Sequence, residues 1–123
     1  MQYRTLGSRS SLKVSEMILF TMMFGDQTDE AEAGRIVADA RERGVNFIDT
    51  ADVYSRGGSE RLLGRLIRDS RAHWVLATKL GNRMDEGPND QHYSRWHVLR
   101  ACEASLQRLG TDHVDLYYLH RDV

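Results

Sequence analysis

Four side chains of chemically active types lie at or just beyond the carboxyl ends of predicted β-strands: Asp49, Tyr54, Lys79 and His120. In a parallel α/β fold the carboxyl ends of the strands meet at one edge, so residues far apart in the sequence converge there. A carboxylate, a phenol, an ammonium and an imidazole together suit the reduction of a carbonyl group, whose oxygen needs a proton while its carbon receives a hydride. The placement predicts an active site at this edge.

Each of these side chains can be given a separate task. A phenol with an ordinary pKa of ~10 is a poor proton donor at neutral pH unless a cation lies nearby. We expect Lys79 to place that cation beside Tyr54, and Asp49 to hold the ammonium in position. His120 would hydrogen-bond the substrate oxygen and fix its orientation. Taken singly, each residue also suits an ordinary structural role, so the combination carries the prediction.

Apolar runs and helical stripes alternate along the chain. A hairpin is predicted over 3–15, strands over 17–20, 45–49, 75–78 and 116–119, and helices over 29–43, from about 59, and over 94–109. We expect Thr28 to cap the first helix. Repeated strand–helix–strand units favour a parallel sheet in one α/β domain spanning 1–123. The loop over 81–93, rich in Gly, Asn and Asp, is expected to cross the carboxyl face.

Composition limits the classes of partner. The 17 basic and 18 acidic residues nearly balance, so the net charge does not favour a nucleic acid or an anionic membrane as a partner. No apolar run approaches the ~20 residues of a membrane helix, and the start lacks a signal-peptide pattern, so we expect a cytoplasmic protein. The one cysteine, Cys102, lies on an apolar helix face and is expected to be a buried thiol. The histidines outside the four-residue set have no metal-ligand spacing, so no metal site is predicted.

Further segments accompany the four residues: RTLGSRSSLKVSE, TDEAEAGRIV, GGSERLLGRLI, LGNRMDEGPND and ASLQRLGTDHVDLYYLHR. With them the chain resembles the amino-terminal half of an aldo-keto reductase, of the extended-loop members related to potassium-channel beta subunits and bacterial aldo/keto reductases. The resemblance implies half of a (β/α)₈ TIM barrel, with about four parallel strands and three helices after the hairpin. It also implies NADPH-dependent reduction of an aldehyde or ketone to an alcohol.

The resemblance assigns roles to individual residues. A catalytic tetrad falls on Asp49, Tyr54, Lys79 and His120, and Thr21 and Asp49 become the expected cofactor contacts. Asp52 and Arg121 flank tetrad positions and are expected to be solvated or to lie behind the tetrad.

Two features depart from the family pattern. The first strand usually carries glycines, whereas here Phe20 is expected to push a ring toward the nicotinamide volume. Only four strands are predicted, and in the family the groups that hold most of the cofactor come from the second half of the barrel. We therefore expect self-association, or a partner that supplies the missing half.

Three interpretations stay open at this point. The chain is an enzyme half that works once its sheet is completed, a catalytically incomplete remnant or interaction module, or an independent four-stranded domain of flavodoxin-like kind that binds a small ligand.

Overall fold

Four short parallel strands form the central sheet, in the order in which they occur along the chain. The computed structural model describes residues 1–122. The strands are β1 (Tyr3–Thr5), β2 (Lys13–Ser15), β3 (Ile18–Phe20), β4 (Phe47–Asp49), β5 (Val75–Leu80) and β6 (Leu116–Leu119), and the helices are α1 (Glu30–Glu42), α2 (Gly58–Ile67) and α3 (Arg95–Leu109). The sheet order is β3-β4-β5-β6, and β1 and β2 form a separate antiparallel hairpin. The predicted α/β architecture is confirmed.

The two faces of the sheet bury different sets of side chains, because successive residues of a strand point to opposite sides. On the outer face, Ile48 and Leu76 pack with the helices, notably with Leu63 and Ile67 of α2. On the inner face the apolar cluster consists of Val14, Phe47, Val75 and Ala77, with Leu6, Leu12 and Leu116 packed against it. The hairpin therefore covers the inner face near the amino ends of the strands and leaves the carboxyl ends open.

Side-chain caps define the beginnings of two helices. Asp29 accepts a hydrogen bond from the Glu32 N–H at 2.9 Å and caps α1, so the prediction that Thr28 is the cap is wrong. The Thr28 N–H instead donates to the Met23 carbonyl in the preceding turn. Ser94 caps α3 through the His97 N–H. The loop over 81–93 therefore ends directly before this cap.

Helices α2 and α3 approach each other closely at one glycine. A Cβ atom on Gly64 would lie only 2.4 Å from the Leu109 carbonyl oxygen. An ion pair from Arg108 to the fully buried Glu60 joins the same two helices. The close approach at Gly64 and the ion pair together hold α2 in place, and with it the turn that carries Tyr54.

Three further findings concern the surface of the chain. In the described part of the chain, β3 and β6 each have one edge that no other strand pairs with. None of the helices within residues 1–122 combines the length and apolar character needed to cross a membrane. Cys102, expected to be buried, is half-buried on α3, and burial raises the pKa of its thiol. That direction disfavours the nucleophilic thiolate.

Candidate active site

Lys79 lies at the centre of the cluster at the carboxyl edge. Its Nζ donates to the Asp49 carboxylate, to the Thr50 carbonyl at 2.9 Å and to the Tyr54 hydroxyl at 3.1 Å. The same nitrogen lies 4.8 Å from the centroid of the Tyr54 ring. Only 14% of the Lys79 side chain and 8% of the Asp49 side chain are exposed. The ammonium is thus largely removed from water and held by three oxygen atoms from one neighbouring segment.

Strand register explains how these groups meet. Asp49 pairs with Ala77 in the ladder between β4 and β5, so Lys79 lies two residues further along on the same inner face. Backbone bonds continue the pairing past β4, from the Thr50 N–H to the Ala77 carbonyl and from the Asp52 N–H to the Lys79 carbonyl. The segment leading to Tyr54 is therefore held against β5, within reach of the lysine.

The turn that begins at Tyr54 has an unusual backbone. Ser55, Arg56 and Gly57 have consecutive positive φ angles of 51°, 50° and 87°. For a residue other than glycine this conformation costs roughly 1–2 kcal/mol. The Ser55 hydroxyl, which donates to the Phe24 carbonyl at 3.0 Å, helps to hold the turn. The strained residues directly follow Tyr54, so the turn that places the phenol lowers the stability of the fold.

His120 completes the cluster from the next strand. Its backbone N–H donates to the Leu80 carbonyl at 2.9 Å, which extends the β5–β6 pairing by one residue. Its ring meets the Tyr54 ring edge to face, with centroids 5.9 Å apart. Burial, followed by the charge of Lys79, lowers the pKa of His120, which favours the neutral imidazole. Its buried Nδ1 has no hydrogen-bond partner within residues 1–122.

An open groove lies in front of these groups. It has a volume of about 350 Å³ and lies on the inner face of the sheet. Its lining is Ile18, Phe20, Phe47, Asp49, Lys79, Tyr118, Leu119 and His120. Phe20, the ladder partner of Asp49, is 61% exposed and lines the groove. Its approach toward a nicotinamide stays a prediction.

Thr21, the other predicted cofactor contact, is fully buried. Its N–H and its hydroxyl both lie within hydrogen-bonding distance of the Asp49 carbonyl, at 3.1 and 3.2 Å. The Ser59 hydroxyl donates to the Thr21 carbonyl at 2.6 Å. Thr21 therefore ties β3 to β4 and to α2, and its role toward a cofactor stays a prediction.

Behind the tetrad lies a buried polar cluster that the sequence did not predict. Glu60 accepts hydrogen bonds from the Thr78 hydroxyl and from Arg108 Nε, each at 2.6 Å. Asp52 is 1% exposed, and within residues 1–122 neither carboxylate oxygen has a partner. Burial, and next the charge of Glu60, raises the pKa of Asp52 to about 7. Of the two alternatives expected for Asp52, solvation is wrong, and the residue lies behind the tetrad.

A signal for Glu60 was present in the sequence. Glu60 precedes Leu63 and Ile67 by three and seven residues, which places a carboxylate on the apolar stripe of α2. Arg121, the other flanking residue, is exposed. Within the described part of the chain, no group of three or more histidine, cysteine, aspartate or glutamate side chains is arranged to hold a metal ion.

Comparisons with known proteins agree with this geometry. The model of the aldo/keto reductase family matches residues 16–123. The chain is 42% identical, over 98% of its length, to a probable voltage-gated potassium channel subunit beta of Arabidopsis thaliana, of which it covers 38%. It is also 42% identical to an uncharacterized oxidoreductase of Bacillus subtilis, with 98% of the chain and 39% of that protein covered.

Solved structures give the same result. A holo-form aldo-keto reductase from Bacillus halodurans superposes with a TM-score of 0.87 and 40% identity, covering all of this chain and 41% of that one. A putative aldo-keto reductase from Pseudomonas aeruginosa gives a TM-score of 0.85 at 40% identity, covering 98% of this chain and 46% of that one. The chain spans about two fifths of the length of the curated relatives it matches. Its fold is that of part of their (β/α)₈ barrel, and the chain belongs to the aldo/keto reductase family.

Proposed function

We propose that this chain carries the catalytic tetrad of an oxidoreductase that reduces an aldehyde or ketone to an alcohol with NADPH. The observation that carries the proposal is the contact of Lys79 Nζ with the Tyr54 hydroxyl and the Asp49 carboxylate, beside an open groove. A phenol with a buried ammonium on its oxygen is suited to giving up a proton, because the cation stabilises the phenolate that remains.

Proton transfer starts at the Tyr54 hydroxyl. As the carbonyl carbon gains a hydride, the carbonyl oxygen becomes negative and takes the Tyr54 proton, which leaves an alcohol and a phenolate. Lys79 stabilises that phenolate across the 3.1 Å contact, and Asp49 holds the ammonium in place. Solvent then returns a proton to Tyr54.

His120 orients the carbonyl oxygen. A neutral imidazole carries one N–H donor, and the ring lies edge to face with the phenol that supplies the proton. Because the ring lines the groove, it can bind the same oxygen that receives the proton. Removing one donor of this kind typically costs ~10²–10³ in rate.

The residues present fit the reacting end of a nicotinamide cofactor. The groove is open, and the exposed Phe20 and Tyr118 give it apolar walls beside the polar tetrad, so the Phe20 ring would share the groove with the nicotinamide. When bound, NADPH would supply the hydride. Of the residues that line the groove, Lys79 is the one cation, and it is already held by Asp49, so phosphate groups need contacts from elsewhere.

We also propose that the sheet works in completed form, joined by strands from further chain, from a second copy or from a partner. The unpaired edges of β3 and β6 support this proposal, because unpaired N–H and C=O groups favour the addition of another strand. Light scattering of the isolated 123-residue chain should give a mass above one copy. A single species at 14.1 kDa would count against self-association.

An interaction module without catalysis is the second candidate. It is supported by the large apolar side chains at the two sheet edges, since Phe20 is 61% and Leu119 63% exposed. Such a module would keep its partner when Tyr54 is changed and would show no carbonyl reduction.

The cytoplasmic setting is proposed as well, because a half-buried thiol with a raised pKa is compatible with a reducing compartment.

NADPH binding separates the two candidates. Isothermal titration with NADPH at chain concentrations where copies associate, followed by an assay of benzaldehyde-dependent NADPH oxidation, should show saturable binding and turnover if a second copy completes the sheet of the enzyme. Tyr54→Phe should keep the binding and lose the turnover. Partner binding or self-association without either signal would favour the interaction module.

A further inference from the structure

We propose that Tyr93 is a positioning residue for His120, acting through the backbone of Arg121. This inference rests on the proposed function, because it concerns the placement of a tetrad residue. Its evidence is the joining of three segments at one phenol: the loop over 81–93, the exit of β5 and the exit of β6.

The hydroxyl of Tyr93 makes two hydrogen bonds with the backbone of Arg121. It donates to the Arg121 carbonyl at 2.5 Å and accepts from the Arg121 N–H at 3.1 Å. Arg121 directly follows His120 in the sequence. The last ladder bond of β6 is the one from the His120 N–H to the Leu80 carbonyl. Tyr93 therefore holds the chain where regular strand pairing ends.

The ring of Tyr93 is seated on the exit of β5. A Cβ atom built on Gly81 would lie 2.4 Å from the Tyr93 ring, and Gly81 has a φ of +122°, which side chains rarely adopt. The His92 N–H donates to the Gly81 carbonyl at 2.9 Å, one residue before Tyr93. Glycine at 81 thus leaves room for the hydroxyl end of the Tyr93 ring beside the backbone two residues after Lys79.

The result is a clamp between the two strand exits that carry Lys79 and His120. β6 is an edge strand in the described structure, and the exposed fraction of its side chains reaches 63% at Leu119. Packing from the outside is therefore weak there. The paired bonds of Tyr93 fix the backbone that sets the direction of the His120 ring.

The test uses the 123-residue chain and reads His120 without requiring catalysis. In Tyr93→Phe the ring remains and both hydroxyl bonds are lost. The Arg121 amide should exchange with solvent about fivefold faster or more, the factor expected for one neutral hydrogen bond. The NMR titration of His120, assigned with His120→Gln, should move up toward about pH 6.5, as the imidazole becomes more hydrated.

The groups facing His120 are Asp49, Tyr54, Lys79 and Arg121, and the substitution changes none of them. Tyr3→Phe is the matched control, because the Tyr3 hydroxyl also donates to a backbone carbonyl, that of Gly44, at 2.7 Å. It should leave the His120 titration and the Arg121 exchange as they are.

Three outcomes would overturn the proposal. One is an unchanged His120 titration in a folded Tyr93→Phe chain, even with a loss of stability. If that variant fails to fold, Gly81→Ala displaces the ring with the hydroxyl kept and should shift His120 in the same direction, and an unchanged His120 titration in a folded Gly81→Ala chain is the second outcome. If neither variant folds, rapid exchange of the Arg121 amide in the folded wild-type chain excludes the clamp. Since no cofactor or substrate is added, failure of the carbonyl reductase proposal would leave these readouts unaffected.

Discussion

The ammonium of Lys79 lies 3.1 Å from the hydroxyl of Tyr54, although 25 positions separate the two residues in the chain. Strand β5 supplies one partner and a strained turn after β4 supplies the other. Asp49 fixes the lysine from the neighbouring strand. The proposed proton transfer depends on this contact, and the predictions below test it and the structure around it.

Replacing Tyr54 by phenylalanine should separate catalysis from folding. The variant keeps the ring beside His120 and leaves Lys79 its bonds to Asp49 and to the Thr50 carbonyl. We expect the rate of carbonyl reduction to fall by ~10²–10⁴, the usual contribution of a general acid. The urea midpoint should change little. A loss of rate that only parallels a loss of folded protein would argue for a structural role.

Removing one partner of the ion pair between Asp49 and Lys79 should lower the free energy of unfolding more than removing both partners does. Because these side chains are 8% and 14% exposed, Asp49→Ala leaves a buried ammonium without its carboxylate. We expect a loss of about 3–5 kcal/mol in the free energy of unfolding, measured by urea titration. Adding Lys79→Met should recover part of that loss. Simple additivity of the two single losses would show that the pair is not coupled.

Asp52 should make the chain less stable as the pH rises. Its folded pKa of about 7 exceeds the value of about 4 in an unfolded chain, so the folded state binds the proton more tightly. Stability from this group is complete below about pH 4 and is lost as the pH rises toward 7, by roughly 4 kcal/mol at most, since one pKa unit is about 1.4 kcal/mol.

Asp52→Asn tests that sign. We expect the variant to be more stable than the wild type at about pH 8, with the gain shrinking steadily toward about pH 4, as judged by thermal unfolding. Since all other titrating groups are retained, the difference between the two chains isolates Asp52. A gain that stays constant with pH would show that the pKa of Asp52 is the same in the folded and unfolded chains.

Two glycines should respond to alanine in opposite directions. In Gly64→Ala the new methyl group meets the Leu109 backbone at 2.4 Å, so α2 and α3 must separate, and we expect a loss of about 1–3 kcal/mol. In Gly34→Ala the nearest atom is a Leu66 methyl at 3.5 Å, an ordinary contact. That variant should gain up to about 1 kcal/mol from helix propensity. Equal effects in urea titrations would contradict the close helix contact.

Much of the fold was predictable because its signals are local. Apolar runs ending at Phe20, Asp49 and Leu119 correctly gave three strand ends, and the parallel order followed from the alternation of strands and helices. The same alternation predicted that the four tetrad residues share one edge, where the structure brings them together. Their chemical roles were implied by the family resemblance and stay proposals.

Other features depend on contacts between distant residues and had no local signal. Ser55 and Arg56 adopt positive φ angles although neither is glycine, and the Ser55 hydroxyl donates to the carbonyl of Phe24, 31 positions away, which helps to hold the turn. The capping error between Thr28 and Asp29 arose because both residue types suit the position. Burial of Asp52 depends on packing among β4, α2 and α3, which a charged residue in a loop does not indicate.

The central claim is that Tyr54 gives the proton in a reduction that uses NADPH. The most direct measurement is benzaldehyde-dependent NADPH oxidation by the wild-type and Tyr54→Phe chains over a concentration series that includes assembly between copies, with Tyr3→Phe as the control. We predict oxidation by the wild type and the control, and a rate at least ~10²-fold lower for Tyr54→Phe. Equal rates for the wild type and Tyr54→Phe at every concentration would contradict the claim.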